Sequence, residues 1–219
     1  MARVFHPSSN TIAKASLFGA FFLAIGGMWA ACAIERSPWV TDAGVFRMQP
    51  VPFSHLHHVR GLGLDCRYCH TSTTNSSFAG IPPIKTCMTC HSKIWTNAAV
   101  LEPVRQAWRT GIPIEWQRVN SLPDYVYFDH SIHVAKGIGC STCHGRVDKM
   151  PLTFQAASLQ MEWCLTCHRH PQRFIRPRSQ IFNMDWTPPP DQEQVGAKLA
   201  EEYDLDTPQL LQNCSICHR

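Results

Sequence analysis

The hydrophobic pattern is dominated by one long apolar run near the beginning of the chain. Residues 15–34 carry no charged side chain and lie between Lys14 and Glu35. An α-helix needs about 20 predominantly apolar residues to cross a bilayer, and this run has that length. The pattern predicts a transmembrane helix at 15–34, a short segment at 1–14 before it and a linker at 35–52 after it.

Two other interpretations of the apolar run are open. A cleaved signal peptide usually has a shorter apolar region, although residues 31–33 (Ala-Cys-Ala) resemble a cleavage site. Cys32 is also a conceivable lipoprotein cysteine, for which Trp29 is a poor fit. We expect an uncleaved anchor. Arg3 and Lys14 precede the run, so the positive-inside rule predicts a cytoplasmic N-terminus and places the chain after the helix outside the membrane.

The remainder of the chain contains only short apolar runs. The sequence has 12 Gly and 16 Pro, and these residues interrupt regular elements. We predict short helices near residues 98–109 and 192–203, with an irregular segment at 171–190. A conventional core of long helices and strands is not expected, so another apolar component must supply much of the buried surface.

The cysteines identify that component. Ten of the 11 cysteines fall into five copies of the motif C-x-x-C-H. The copies are Cys66–Cys69–His70, Cys87–Cys90–His91, Cys140–Cys143–His144, Cys164–Cys167–His168 and Cys214–Cys217–His218. In this motif two thiols attach covalently to the vinyl groups of one haem, and the adjacent histidine binds the iron as its proximal ligand. The sequence predicts five covalently bound haems c.

Zinc and disulfides are the alternatives for these cysteines. Zinc sites also combine Cys and His, but five complete repeats leave no unmatched half-site. A disulfide framework would not place a histidine directly after every second cysteine. The formal charge of +4 does not indicate nucleic acid, because Arg and Lys are natural partners for haem propionates. We predict a multihaem cytochrome c that is mostly irregular, with short α-helices wrapped around haems and one N-terminal transmembrane helix.

An internal repeat organises the soluble part. The pattern F-x-H-x-x-H begins at Phe53 and again at Phe128, and each copy is followed by a glycine-containing turn and two C-x-x-C-H motifs. Such self-similarity marks a duplicated unit. We predict a di-haem module at 53–91, a connecting segment at 92–127 and a second di-haem module at 128–170. A final segment at 171–219 holds the fifth motif.

The second axial ligand of each iron decides between electron transfer and catalysis. The F-x-H-x-x-H pattern resembles that of the multihaem cytochromes c3 and c7, in which the first histidine serves the nearest following haem and the second serves another. This resemblance implies that His55, His58, His130 and His133 are distal ligands. For the fifth iron, Met150 and Met161 are favoured over His170. His6 is expected on the other side of the membrane.

Taken together, the anchor, both modules, Met161-x-Trp163-Cys164 and the terminal motif resemble the pentahaem cytochrome subunit of alternative complex III. The resemblance implies an electron-transfer wire in a membrane complex that oxidises quinol, with the haems on the extracytoplasmic side. Its implied partners are an iron–sulfur/molybdopterin-like subunit, polytopic quinol-binding subunits, a monohaem cytochrome c and a soluble electron acceptor.

Two further functions compete with this one. A self-contained quinol dehydrogenase with a single anchor is the main alternative, although the first motif of that class usually follows the membrane closely. A catalytic multihaem reductase needs an open iron, often with Lys in place of the proximal His, and the sequence contains no C-x-x-C-K. We therefore expect a subunit that transfers electrons, not an enzyme acting alone.

Overall fold

The computed structural model describes residues 4–218 and divides the chain into two compact units. The first ends at Asp42 and the second begins at Ala43. The first unit contains α1 (Ser9–Glu35) and α2 (Pro38–Thr41). Arg3, on which part of the orientation prediction depends, lies outside the described residues.

Helix α1 contains the whole predicted span and begins six residues earlier, at Ser9. Its 27 residues correspond to a length of about 40 Å, which exceeds the roughly 30 Å hydrocarbon core of a bilayer. The helix is therefore long and apolar enough to cross a membrane. Charged Lys14 lies inside the helix, a little more than one turn from its beginning.

The second unit consists of short helices joined by irregular chain. They are α3 (Cys66–Cys69), α4 (Ile84–His91), α5 (Glu102–Thr110), α6 (His130–Ala135), α7 (Cys140–His144), α8 (Met161–Arg169), α9 (Gln192–Glu202), α10 (Pro208–Leu211) and α11 (Cys214–Cys217). A π-helical turn covers Leu56–Gly61, and 3₁₀ turns cover Ala99–Leu101, Val147–Lys149, Pro171–Arg173 and Arg178–Gln180. Within residues 4–218, β-pairing is limited to three isolated bridges.

These elements confirm the predicted fold class and both predicted helices. The helix expected near 98–109 is a 3₁₀ turn that continues into α5, and the helix expected at 192–203 is α9. The module boundaries stay a prediction.

Two small apolar clusters take the place of a single large core. Val51, Leu101 and Val104 form the first, and Ile175, Leu199 and Tyr203 form the second. In the second cluster α9 lies so close to residues 171–173 that a Cβ on Gly196 would be 1.8 Å from the carbonyl oxygen of Gln172.

Candidate haem-binding sites

Each C-x-x-C-H motif lies on a helical turn. The two cysteines of a motif are three residues apart and therefore face the same side of the turn. Local sequence fixes where these turns begin: the side chain of Asp65 accepts a hydrogen bond from the backbone N–H of Arg67, and that of Asn213 accepts one from Ser215. Such N-capping satisfies backbone donors that a short helix leaves free. The local geometry thus presents both thiols to one ligand.

Four of the five C-x-x-C-H histidines lie opposite a second imidazole. The ring-centre distances are 6.5 Å for His55–His70, 6.2 Å for His58–His91, 6.4 Å for His130–His144 and 6.2 Å for His133–His168. Two imidazoles that bind one metal from opposite sides through bonds of about 2 Å have ring centres roughly 6 Å apart. The four distances therefore fit an iron ion between each pair of rings.

Hydrogen bonds at Nδ1 leave Nε2 of these rings available for a metal. Carbonyl oxygens accept from Nδ1 of His58 (Ser54), His70 (Gly80), His91 (Ile94), His130 (Ser77), His133 (Asp129) and His168 (Leu211), and Nδ1 of His55 pairs with the hydroxyl of Thr153. A metal-bound histidine commonly donates its other N–H in this way, which fixes the tautomer and the ring orientation. The arrangement matches what haem iron requires.

A phenylalanine contacts both histidines in each copy of F-x-H-x-x-H. The ring of Phe53 lies 4.9 Å from that of His55 and 4.4 Å from that of His58. Phe128 makes the same two contacts, at 4.8 Å with His130 and 4.5 Å with His133. Packing against an aromatic ring restricts side-chain rotation, so the Phe of F-x-H-x-x-H positions both imidazoles.

The surroundings of these rings favour the neutral imidazole that a metal needs. Burial, followed by the proximity of His70, lowers the pKa of His55 to about 4. Burial, followed by His130, likewise lowers the pKa of His144 to about 4. Burial is also the main cause that lowers the pKa of His133. Each of these shifts favours the neutral ring.

The cysteine positions bring the motifs into contact. The thiols of Cys66 and Cys140, which are the first cysteines of the first and third motifs, lie next to each other. Burial raises the pKa of the Cys143 thiol to about 11, with Cys164 nearby as a second cause. Burial raises the pKa of Cys69 as well, with Cys87 as the next cause. Burial therefore favours the protonated form of the Cys69 and Cys143 thiols.

The fifth motif has different surroundings. Nδ1 of His218 donates to the carbonyl oxygen of Tyr125 at 3.1 Å, and the Tyr125 ring lies 5.8 Å from the His218 ring. Among the described residues, the aromatic ring contact of His218 is thus with a phenol and not with a second imidazole. Met150 is buried and its carbonyl accepts from the N–H of Leu56, whereas Met161 begins α8 and is exposed. Ligation by either methionine stays a prediction.

Several residues that support the site were not found from the sequence. Thr153, Tyr125 and Arg176 contact motif residues from distant parts of the chain. Asp148 is 1% exposed and forms ion pairs with Arg60 and Arg146. Only the position of Asp148 beside a haem motif offered any signal in the sequence.

Known proteins resemble the chain in the same two regions. Residues 126–219 match the family described as cytochrome c7 and related cytochrome c, and residues 33–112 match the class III cytochrome c family. Together with the C-x-x-C-H motifs and the paired imidazoles, these matches define a multihaem c-type cytochrome that takes part in electron transfer.

A curated relative gives a more particular likeness. The chain is 34% identical over 97 residues to the multihaem cytochrome c subunit of menaquinone reductase from Nitratidesulfovibrio vulgaris. The aligned part is 44% of this chain and 45% of that protein. The chain is thus homologous to a cytochrome subunit of a quinone-linked complex over a little less than half of its length.

Proposed function

We propose that this chain binds five haems c and conducts electrons between a membrane quinone pool and an extracytoplasmic partner. The four imidazole pairs are the observation that carries the proposal. In it, His70, His91, His144, His168 and His218 are proximal ligands, and His55, His58, His130 and His133 are distal ligands. When bound, the haems supply one-electron redox chemistry.

Closed axial positions favour electron transfer over substrate chemistry. Each of the four pairs would supply both protein ligands of one haem iron, so a substrate would have to displace a histidine. Nδ1 hydrogen bonds and phenylalanine packing hold these histidines in place, which disfavours such displacement. A catalytic reductase is therefore the weaker proposal.

The contacts between cysteines support one order of the motifs along the electron route. Cys87 lies near Cys69, which joins the second motif to the first. Cys66 and Cys140 join the first motif to the third. The third motif adjoins the fourth through Cys143 and Cys164, and the fourth adjoins the fifth through Cys164 and Cys217. The route runs second, first, third, fourth, fifth, with the second and fifth motifs at its ends.

Of the two methionines, Met161 is the better proposed ligand for the fifth iron. It begins the helix that carries Cys164, and Cys164 lies near Cys217 of the fifth motif. Met150 lies beside the first module, where its carbonyl accepts a hydrogen bond from the backbone N–H of Leu56. In the proposal, the two irons of that module already have two histidine ligands each. Methionine ligation would raise the potential of the fifth haem.

The proposed setting is a membrane complex that exchanges electrons with quinone. The relative is a subunit of menaquinone reductase, and the sequence resembles the corresponding subunit of alternative complex III. Helix α1 would anchor the chain, with its N-terminus in the cytoplasm and the second unit outside. Proposed partners are an iron–sulfur/molybdopterin-like subunit, polytopic quinone-binding subunits, a monohaem cytochrome c and a soluble acceptor.

Haem counting and quinol reduction test the proposal. The intact mass and the pyridine haemochrome of the purified protein are expected to give five haems per chain, and one fewer after both cysteines of any one motif are replaced by serine. In the assembled complex a quinol analogue should reduce the haems, while the isolated subunit should stay oxidised. Rapid reduction of the isolated subunit would instead establish the self-contained quinol dehydrogenase. Fewer than five haems would contradict the count.

A further inference from the structure

Arg176 is a buried cation placed against the third haem-attachment motif. The residue is 4% exposed and follows Ile175, which is 1% exposed. Its Nη1 donates to the hydroxyl of Ser141 at 3.2 Å and its Nη2 donates to that of Thr142 at 3.0 Å. These two hydroxyls belong to the residues between Cys140 and Cys143. One guanidinium therefore binds both residues that separate the two cysteines of the motif.

The surrounding chain is shaped to admit this side chain. A Cβ on Gly139 would lie 2.2 Å from Cζ of Arg176, so the residue before the motif must be glycine for the guanidinium to fit. Cζ also lies 4.1 Å from the ring centre of Trp186, which is a cation–π contact. The backbone N–H of Arg176 donates to the carbonyl of Gly137 at 2.9 Å. Residues 137–142 and Trp186 therefore fix the position of the charge.

The charge of Arg176 has no carboxylate partner among residues 4–218. Arg60 and Arg146 bind Asp148 and Asp185, but the buried Nε of Arg176 has no acceptor. A buried guanidinium that pairs with no carboxylate of the described chain is placed to act on the haem attached at this motif.

We propose that Arg176 is a positioning residue that fixes the third motif and raises the reduction potential of the haem attached there. Oxidation of that haem removes one electron and adds one positive charge, and a fixed cation nearby disfavours this added charge. Burial strengthens the effect because the interior screens charge weakly. Charge and hydrogen bonding around a haem are recognised determinants of its potential.

The consequence concerns the centre of the proposed electron route. The third motif contacts the first through Cys66 and Cys140, so it joins the two modules. A raised potential there would draw electrons from either side to the junction. This inference rests on haem attachment at the third motif, which the haem count tests separately.

Redox titration of the purified holoprotein tests the proposal, with the haems followed by absorption and by electron paramagnetic resonance. In Arg176→Gln, one haem should become at least tenfold harder to reduce, which is a fall of about 59 mV for a one-electron couple. Arg173→Gln is the matched control, because Arg173 is exposed and pairs with Glu193; all its potentials should stay unchanged. A five-haem Arg176→Gln protein with unaltered potentials would overturn the proposal.

Arg176→Lys keeps the proposal testable if the glutamine variant fails to fold. Lysine retains the charge but cannot donate to both hydroxyls through one planar group. At pH 6 a buried lysine is more readily kept charged. The reduction equilibrium constant of the haem at the third motif should then stay within threefold of the wild-type value. A tenfold fall in this equilibrium constant in Arg176→Lys would show that the charge does not set the reduction potential.

Discussion

The two predicted modules share their ring geometry but differ in how the chain supports it. In both, the first distal histidine is nearly parallel to its proximal partner, at 11° for His55 and 3° for His130. The second pair is turned in both, by 64° for His58 and 38° for His133. The repeated F-x-H-x-x-H sequence has thus reproduced the same order of parallel and turned pairs.

The helical turns beneath these histidines are not the same. In the first module they lie at a π-helical turn, Leu56–Gly61. In the second they lie on α6, where Asp129 accepts from the backbone N–H groups of Ser131 and Ile132. A carboxylate at an N-cap stabilises a helix well, whereas Ser54 stands at the equivalent place in the first module and accepts from the N–H of His57. The phenylalanine contact, and not the helix type, preserves the ring positions.

The modules also hold each other. The first distal histidine of each is fixed from the other module: His55 pairs with Thr153, and His130 donates to the carbonyl of Ser77. The second distal histidine of each is fixed by its own module, through Ser54 and Asp129. We call His55–His70 and His130–His144 the inner pairs, and His58–His91 and His133–His168 the outer pairs. The inner pairs depend on contact between the modules, and the outer pairs do not.

Replacing a first distal histidine should have the largest effect. His55→Ala and His130→Ala should each remove one axial ligand, so that about one fifth of the iron, one haem for five motifs, becomes high-spin. Electron paramagnetic resonance measures this fraction. The two variants should agree if the modules are equivalent.

His57→Ala is the matched control for these variants. His57 is exposed and its ring contacts are with His58 and Trp95, not with a proximal histidine. Its replacement should leave every haem low-spin. A high-spin signal in this variant, or its absence in both of the others, would show that the paired rings are not the ligands.

The second prediction concerns the ion pairs of Asp148, one of which joins the two predicted modules. Arg60 of the first module binds Asp148 of the second at 3.2 Å, and Arg146 binds the same carboxylate at 2.8 Å. Asp148→Asn should lower the free energy of unfolding by about 1–3 kcal/mol at pH 7, because a buried charged acceptor is lost. Denaturant titration of the holoprotein measures it.

The pH dependence of this effect follows from the pKa of Asp148. The hydrogen bond from Arg146 and the charge of Arg60 lower that pKa in the folded protein. The contribution of the Asp148 carboxylate to the free energy of unfolding is therefore fully present above its unfolded-state pKa of about 3.9. It is lost as the pH falls through the lower pKa of the folded protein. Asp185→Asn is the control: this carboxylate contacts both arginines but is exposed, so its loss should matter less. Equal effects would contradict a role for burial.

The sequence alone predicted the components of the site better than their connections. Spacing within C-x-x-C-H is local, so the helical turns followed from a short pattern. The pairing of His55 and His58 with haem iron is what the resemblance to cytochromes c3 and c7 implies, and it stays a prediction. Thr153, Tyr125 and Arg176 lie 98, 93 and 35 residues from the motif residues they contact. No periodicity links such positions, because irregular chain joins them and packing alone decides the contact.

The smallest expected effect separates an inner pair from an outer pair. Thr153→Val removes the hydroxyl beside Nδ1 of His55 while nearly preserving its shape. An acceptor at Nδ1 makes the ligand more basic and stabilises the ferric state, so its loss should raise the potential of the first haem by less than about 59 mV, which is tenfold in a one-electron equilibrium. Thr153→Ser retains the hydroxyl and should leave the potential unchanged. Redox titration should show the shift in one haem only, because His58 takes its acceptor from Ser54 within its own module. A change of potential that also appears at the haems of the His58 and His133 pairs would contradict this. It would mean that the inner pairs are not held separately from the outer pairs.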